Sequence, residues 1–196
     1  MEAHTPFERV WTRLAAARDE YRAAVTATYD EVLIEVAERT EARGSLGKAD
    51  IGALVVWKRL QANTRWVSEL MEVPETTVRA VTSEAVRAVR DTSLSRGEAG
   101  QKGREALSGL PGFGHGPALA SALLTAAAPG RMAVYDRRAR RGLERLGVSL
   151  GPPRGLYGRY MDLLDRLLEH GGSGRPDWTA RDVDTALYWL GGDASA

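Results

Sequence analysis

Three glycines alternate with other residues in one short stretch of the chain, Leu110-Pro111-Gly112-Phe113-Gly114-His115-Gly116. Proline and closely spaced glycines favour a tight turn, because glycine adopts positive φ angles and has no Cβ atom to obstruct a close approach. A helix that begins just after such a turn points unpaired backbone N–H groups outward, and its dipole favours an anion there. The stretch therefore predicts a phosphate-binding turn between two helices. A plain helix–helix loop without a ligand is the alternative.

The residue types that most metal sites and disulfides need are scarce. The chain has no cysteine, which excludes disulfides, zinc–thiolate sites and iron–sulfur clusters. Its histidines, His4, His115 and His170, are far apart, so we expect no histidine metal site and no cofactor. No stretch approaches the roughly 18 apolar residues that span a bilayer, and the first residues lack the apolar run of a signal peptide. We expect a cytoplasmic, nucleoid-associated protein.

Basic residues are concentrated around and after the glycine turn. The net charge of the chain is only +1, yet residues 101–160 hold ten basic and three acidic residues, a net charge of +7 that leaves −6 for the remainder. Such asymmetry is typical of a protein with one face for a polyanion. An arginine-rich, solvated helix face is the alternative interpretation.

The elements that position this region are predicted to be helices throughout, because apolar residues recur at helical spacing and no strand alternation is visible. We expect one all-α domain over residues 1–196, with an N-terminal helical segment (1–46), a core (47–147) that contains the hairpin (104–128), and closing C-terminal helices (148–196). The first segment is predicted to end near Gly44, with a break around Thr26 to Asp30. The expected later helices are Asp50–Leu70, a short helix opened by Pro74, another from Thr82, Arg104–Leu110, Gly116–Ala128, Arg137–Gly147, Leu156–His170 and Thr179–Leu190. The polar stretch from Asp91 to Gly103 is either a loop or a helix start.

Residues Leu110 to Gly147, LPGFGHGPALASALLTAAAPGRMAVYDRRARRGLERLG, resemble the helix-hairpin-helix DNA glycosylase superfamily. The resemblance rests on the pattern Leu-Pro-Gly-x-Gly-x-x-x-Ala, an alanine-rich helix, a short proline-containing loop, and a valine followed closely by an aspartate. Upstream, VVWKRLQANTRWVSELMEVPETTVRAVTSEAVRAV is similar in layout to the helix that lines the lesion pocket in that family and the two short helices after it. The resemblance implies a glycosylase-like helical fold, double-stranded DNA as the partner, and a monomer.

In that superfamily the aspartate after the hairpin helix is the catalytic carboxylate, and Asp136 occupies its position. A fixed anion near C1′ stabilises the oxocarbenium character that develops when an N-glycosidic bond breaks, or orients the attacking water. The alternative is that Asp136 only caps the helix that starts at Arg137. Bifunctional members carry a nucleophilic lysine inside the hairpin, whereas this chain has Gly116 at the matching position and no lysine after Lys102. The resemblance therefore implies a monofunctional glycosylase that uses water.

The remaining site residues are also assigned through the resemblance. Backbone N–H groups of Gly112, Gly114 and Gly116 are expected to hold a phosphate, with a monovalent cation at the hairpin carbonyls. Further phosphate contacts are expected from His115, Lys58, Arg137, Arg138 and Arg141. The gap left by a flipped base would be filled by Asn63 or Gln61, and the base itself would stack on Trp57, Trp66 or Tyr135. For the aromatic residues a core position is the alternative, and for the charged ones a solvated or paired surface position.

Two other functions remain open on the sequence alone. The first is a non-catalytic helix-hairpin-helix protein that binds DNA, and the second is a helical adaptor whose arginine face binds an acidic protein. The base that a glycosylase of this kind would remove (an alkylated purine, 8-oxoguanine or a mispaired base) also stays open, because one sequence does not reveal the shape of a pocket.

Overall fold

A computed structural model describes residues 6–114, 116–171 and 178–192, and every regular element in these ranges is a helix. The all-α prediction is therefore confirmed for this part of the chain. The α-helices are α1 (Pro6–Ala24), α2 (Glu31–Arg43), α3 (Lys48–Trp57), α4 (Arg65–Glu72), α5 (Glu75–Arg90), α6 (Arg96–Leu107), α7 (Ala118–Ala127), α8 (Arg137–Arg145), α9 (Leu156–Gly171) and α10 (Ala180–Leu190). A 3₁₀ turn, Ala27–Asp30, separates α1 from α2 where the break was predicted.

Helix α7 is the centre of the fold. Its sequence, ALASALLTAA, is apolar on every face, and all residues from Leu119 to Ala127 are buried. A helix of this composition is stable only inside a core, and α2, α3, α5 and α6 pack around it. The hairpin turn that precedes α7 is thereby joined directly to a helix inside the core.

Two further sets of helices flank this centre. On one side α6 packs against α5 and α9, and on the other α10 packs against α1 and α8. The contact between α8 and α10 is unusually close, because a Cβ atom at Gly142 would overlap the backbone carbonyl of Leu187. This contact fixes the position of α8, the helix that begins directly after Asp136.

The first two helices end as predicted, but the prediction of one helix over Asp50–Leu70 was wrong. Helix α2 ends at Gly44, which has the left-handed conformation of a C-cap (φ 66°). The expected second helix is instead divided into α3 and α4 by the connection from Lys58 to Thr64. Arg59 in this connection has a φ of 52°, a positive value that interrupts helical hydrogen bonding and is uncommon for a residue other than glycine.

The two short helices expected after Pro74 and from Thr82 are one continuous helix, α5. Thr82 does not begin a helix. Its hydroxyl group lies inside α5, where it accepts a hydrogen bond from the N–H of Leu46 (3.0 Å) and donates to the carbonyl of Leu46 (2.7 Å). A residue type that often caps helices serves here to anchor α5 to the segment before α3.

The stretch from Asp91 to Gly103 contains most of α6, which begins eight residues earlier than the predicted helix at Arg104. Ser95 caps α6, accepting a hydrogen bond from the N–H of Glu98 (3.1 Å), while the Glu98 carboxylate accepts one from the N–H of Ser95 (3.0 Å). The three glycines inside α6 leave no room for a side chain: Gly97 lies on Asp162, Gly100 on Tyr157 and Met161, and Gly103 on Val89 and Leu124.

Within the described residues, no helix is long and apolar enough to cross a membrane.

Candidate nucleic-acid interface and active site

The predicted tight turn connects α6 to α7. Gly112 and Gly116 have positive φ angles, 89° and 73°, which only glycine adopts without strain. A Cβ atom on Gly112 would also overlap the indole ring of Trp66, so this glycine is required for packing as well as for conformation. The space around Gly114 and Gly116 is open. His115, predicted to contact phosphate, lies outside the described residues.

The N-terminus of α7 follows directly after these glycines. Pro117 is the N-cap residue and makes no side-chain capping hydrogen bond. The first N–H groups of a helix have no partner within the helix, and an anion near Ala118 would lie at the positive end of the helix dipole. Leu119 and Ala120, the next two residues, are buried. The predicted monovalent cation at the turn carbonyls stays a prediction.

Ser121, which the sequence interpretation missed, ties the first turn of α7 to the segment that carries Asp136. Its hydroxyl oxygen lies 3.1 Å from the carbonyl of Ala118 and accepts a hydrogen bond of 2.9 Å from the N–H of Tyr135. Ser121 is itself buried. The position of Asp136, the next residue along the chain, is thereby fixed relative to the N-terminal turn of α7.

Asp136 is the N-cap residue of α8. Its Oδ1 atom accepts hydrogen bonds of 2.9 Å from the N–H groups of Arg138 and Ala139. The capping role that the sequence left as an alternative is therefore present. It uses one carboxylate oxygen and leaves Oδ2 for other contacts.

The second oxygen of Asp136 is bound by Lys58. The Nζ atom of Lys58 lies 2.7 Å from Oδ2, and the two side chains are only 9% and 16% exposed. The ammonium group of Lys58 therefore contacts the carboxylate and is not exposed to solvent, as a lysine that waits to bind a phosphate would be. Lys58 and Asp136 are 78 positions apart in the sequence, which is why sequence reasoning did not pair them.

Asp136 is held as an anion. Burial alone would raise the pKa of its carboxyl group, but the charge and hydrogen bond of Lys58, together with the two backbone N–H groups of α8, lower that pKa below its ordinary value. A carboxylate that stays ionised can stabilise a developing positive charge or accept a proton from water.

The ammonium group of Lys58 also lies close to two aromatic rings. It is 5.4 Å from the ring centre of Trp57 and 5.6 Å from that of Tyr188, within the range of cation–π attraction. The guanidinium of Arg138 lies 4.8 Å from the same Tyr188 ring.

A buried ionic network, which the sequence interpretation also missed, supports this region. Asp184 is 2% exposed, and its Oδ2 atom accepts a hydrogen bond of 2.9 Å from the N–H of Val134, two residues before Asp136. Arg181 bonds both oxygens of Asp184 (2.9 and 3.0 Å) and both oxygens of Asp30 (3.1 Å each). Burial raises the pKa of Asp184 despite the opposing charge of Arg181. The signal for this network in the sequence was Asp184 itself, an acidic residue between Val183 and Thr185 on the buried face of α10.

A narrow cavity lies among these groups, lined in part by Tyr21, Tyr29, Trp57, Lys58, Asp184 and Tyr188. Its free space has room for about one water molecule. A base could enter only if one or more of the lining side chains moved.

The other predicted base-contacting residues are divided between the core and the surface. Trp57 and Tyr135 are 5% and 3% exposed, and the Tyr135 ring packs 4.6 Å from that of Tyr160, so Tyr135 occupies the core position given as its alternative. Trp66 is half-buried against Gly112. Gln61 and Asn63 are exposed in the connection between α3 and α4. A side chain that fills the gap left by a flipped base has to be exposed in this way.

The predicted arginines lie on the first turns of α8. Arg137 is exposed, whereas Arg138 and Arg141 are half-buried. All three follow Asp136 directly on the same helix, so α8 presents positive charge next to the carboxylate.

Comparisons of the chain with protein-family models, curated proteins and solved structures find no match. The functional interpretation therefore depends on the chemistry and geometry of the residues described above.

Proposed function

We propose that this protein is a monofunctional DNA glycosylase, which hydrolyses the N-glycosidic bond of a damaged or mispaired base flipped out of duplex DNA. The observation that carries the proposal is the link through Ser121, which holds the Asp136 segment against the N-terminal turn of α7. In this proposal the turn binds the phosphate and Asp136 acts on the sugar of the same nucleotide, and the hydrogen bonds of Ser121 support it by joining the segment of Asp136 to the first turn of α7.

In this mechanism the glycine turn binds a backbone phosphate next to the flipped nucleotide. The carboxylate of Asp136 lies near C1′ and stabilises the positive charge of the sugar as the bond to the base breaks. The electron pair of the broken bond leaves with the base, water adds to C1′, and the proton that the water loses passes by way of Asp136 or solvent to the departing base. The two N–H groups of α8 keep Oδ1 in place throughout.

Lys58 balances the charge of Asp136 while no DNA is bound. As the bond to the base breaks, the positive charge that develops on the sugar becomes a second counter-charge for the Asp136 carboxylate. The concentration of positive charge in residues 101–160, and the position of Arg137 at the start of α8, support a polyanionic partner.

A second function is favoured by two observations. Asp136 is engaged in an ion pair with Lys58, and the cavity that Lys58 lines has room for only about one water molecule. Both fit a protein that binds DNA through the hairpin without catalysing a reaction.

Incubation with duplex oligonucleotides that each contain one lesion, followed by hot alkali, separates the two functions. A monofunctional glycosylase yields strand cleavage only after alkali, and Asp136→Asn abolishes it, whereas the matched control Asp162→Asn, at an exposed position of α9, retains it. Absence of cleavage on every lesion, with salt-sensitive DNA binding in all three proteins, would establish the binding function instead. Cleavage without alkali that disappears in Lys58→Met would identify Lys58 as an amine nucleophile and contradict the monofunctional proposal.

A further inference from the structure

A groove of about 450 Å³ lies where α8 ends, between the first turns of α1, the connection that follows α8, and α9. Its aliphatic surface is formed by Val10, Leu146, Val148, Leu163 and Leu167. The two leucines of α9 are buried, whereas the other three residues are half-buried, so the groove leaves apolar surface in contact with solvent. Leu146 follows Asp136 by ten residues along α8, which is about 15 Å. The groove is therefore separate from the site described above.

Two arginines of α1 border this groove. Arg9 and Arg13 are both exposed, and their spacing of four residues places them on the same face of the helix. Arg13 donates one hydrogen bond, of 3.0 Å, to the carbonyl of Arg145, and within the described ranges neither guanidinium group is in an ion pair. Among the described residues that line the groove, these two arginines are the charged ones. An apolar centre with a polar border is typical of a protein–protein interface, and here the complementary surface would be apolar and acidic.

The outer face of α2 has this composition. Ile34 is 53% exposed, with Glu31 three residues before it and Glu38 four residues after it, so the three side chains share one face of the helix. Both glutamates are exposed, and neither is in an ion pair with any residue that the structure describes. We call these three residues the acidic ridge. An isoleucine between two carboxylates, each one helical turn away, complements an aliphatic groove bordered by two arginines.

The other large apolar side chains that are exposed in the described part of the chain do not have this pattern. Val56, on α3, is followed three residues later by the cationic Arg59. Met71, on α4, is preceded one helical turn earlier by the uncharged Val67 and Ser68. The charge complementarity to the groove therefore selects α2.

We propose that the groove binds the acidic ridge of a second copy of this chain, with Ile34 against the aliphatic surface and the two carboxylates against the two arginines. Glu31 and Glu38 are about 10 Å apart along their helix, and Arg9 and Arg13 about 6 Å, a difference that the long arginine side chains span. The groove and the ridge share no residue, so each copy offers both and the copies join head to tail. This proposal goes beyond the glycosylase function and does not depend on it.

The association should be weak and sensitive to salt. Its charged groups are exposed, and pairs of exposed charges each contribute little and are screened by salt. We expect a dissociation constant on the order of 100 µM in low-salt buffer, as for other small, transient interfaces. The monomer that the sequence resemblance implies then describes the protein in dilute solution. A neighbouring copy in the groove contacts none of the residues assigned to DNA.

Sedimentation of charge-reversed variants without DNA tests the pairing of the two surfaces. The groove variant carries Arg9→Glu and Arg13→Glu, and the ridge variant carries Glu31→Arg and Glu38→Arg. Each variant alone should self-associate at least about tenfold more weakly than the wild type, because like charges then face each other across the interface. An equimolar mixture of the two should associate as the wild type does, since each surface then meets one of opposite charge.

Matched variants separate the interface from a general effect of charge or hydrophobicity. Arg65→Glu together with Arg87→Glu changes the net charge as the groove variant does, at exposed arginines of α4 and α5, and should associate as the wild type does. Ile34→Ser should weaken the association without a change of charge, whereas Val56→Ser should not.

A wild-type protein that stays monomeric at about 1 mM in low-salt buffer would overturn the proposal. A mixture of the groove and ridge variants that associates no better than each variant alone would also overturn it. Oleate is the probe for a different occupant. Binding of oleate by a monomeric wild type, lost in the groove variant, would assign the groove to an anionic lipid chain in place of a second copy.

Discussion

The indole ring of Trp66, on α4, lies directly against the backbone of Gly112 in the hairpin turn. Gly112 also has a φ of 89°. The turn therefore needs glycine at this position for two reasons, which are the left-handed backbone conformation and the close approach of Trp66. The turn is thus supported by two helices, α7, which follows it, and α4, which packs against Gly112.

Gly112→Ala should disturb the turn and the binding of DNA together. We expect a loss of about 1–3 kcal/mol in the free energy of unfolding, from the left-handed conformation and the overlap with Trp66, and weaker binding to duplex DNA. Gly114→Ala is the control, since the space around Gly114 is open. Urea denaturation and a DNA titration measure both effects, and equal behaviour of the two variants would show that the turn does not need a glycine at 112.

The pair formed by Lys58 and Asp136 should appear as a coupling energy. Each of Lys58→Met and Asp136→Asn leaves the other partner buried without its counter-charge, at a cost of about 3 kcal/mol. The double variant should lose much less than the sum of the two, because neither charge then remains. Asparagine still accepts hydrogen bonds at an N-cap, so loss of capping should contribute little. Additive losses in urea denaturation would show that the two side chains do not interact in solution.

Acid should weaken the fold partly through Asp136. Its pKa in the folded protein is lower than the ordinary value of 3.8, so its contribution to stability is complete above that value and is lost as the pH falls through the folded pKa. Asp136→Asn removes this titration. We therefore expect the free energy of unfolding of the variant to fall less steeply than that of the wild type below about pH 4. Parallel curves in that range would contradict the lowered pKa.

Gly142→Ala should destabilise the protein although it places a better helix former inside α8. The added methyl group would overlap the carbonyl of Leu187, a backbone atom that cannot move without shifting α10. We expect a loss of about 1–3 kcal/mol. Gly52→Ala, at an exposed position of α3 with open space around it, should instead raise stability by about 0.5–1 kcal/mol. Thermal unfolding of the two variants should therefore shift in opposite directions.

Arg137 should contribute to DNA binding through phosphate alone. Arg137→Gln should weaken binding to all duplex sequences alike and reduce the slope of log K against log salt by about 0.9. Arg87→Gln, at an exposed arginine of α5 paired with Glu84, is the control and should leave the slope unchanged. An unchanged slope in Arg137→Gln would place the DNA on another face.

The parts of the site that lie close together in the chain were predictable from the sequence. The glycine turn, α7 and the N-cap at Asp136 each depend on residues only a few positions apart, and local patterns describe such features well. The pairing of Lys58 with Asp136 and of Val134 with Asp184 joins residues 78 and 50 positions apart. These contacts arise from the packing of whole helices, which no local pattern contains.

The errors in the predicted helices have equally specific causes. Glycine has a low intrinsic helix propensity, so the three glycines of α6 masked a helix whose existence depends on α5, α7 and α9. Within the predicted helix from Asp50 to Leu70, the left-handed Arg59 has no sequence signal, because arginine ordinarily continues a helix.

The three interior glycines of α6 have a consequence for the order in which the chain folds. A helix with glycine at positions 97, 100 and 103 has little stability of its own, and the helix that covers two of these positions, α9, is synthesised about 50 residues later. We therefore expect α6, the first arm of the hairpin, to form during translation only after Tyr157 and Met161 have left the ribosome. A nascent chain that ends before α9 lacks the helix against which Gly97 and Gly100 pack, and α6 is then without that support.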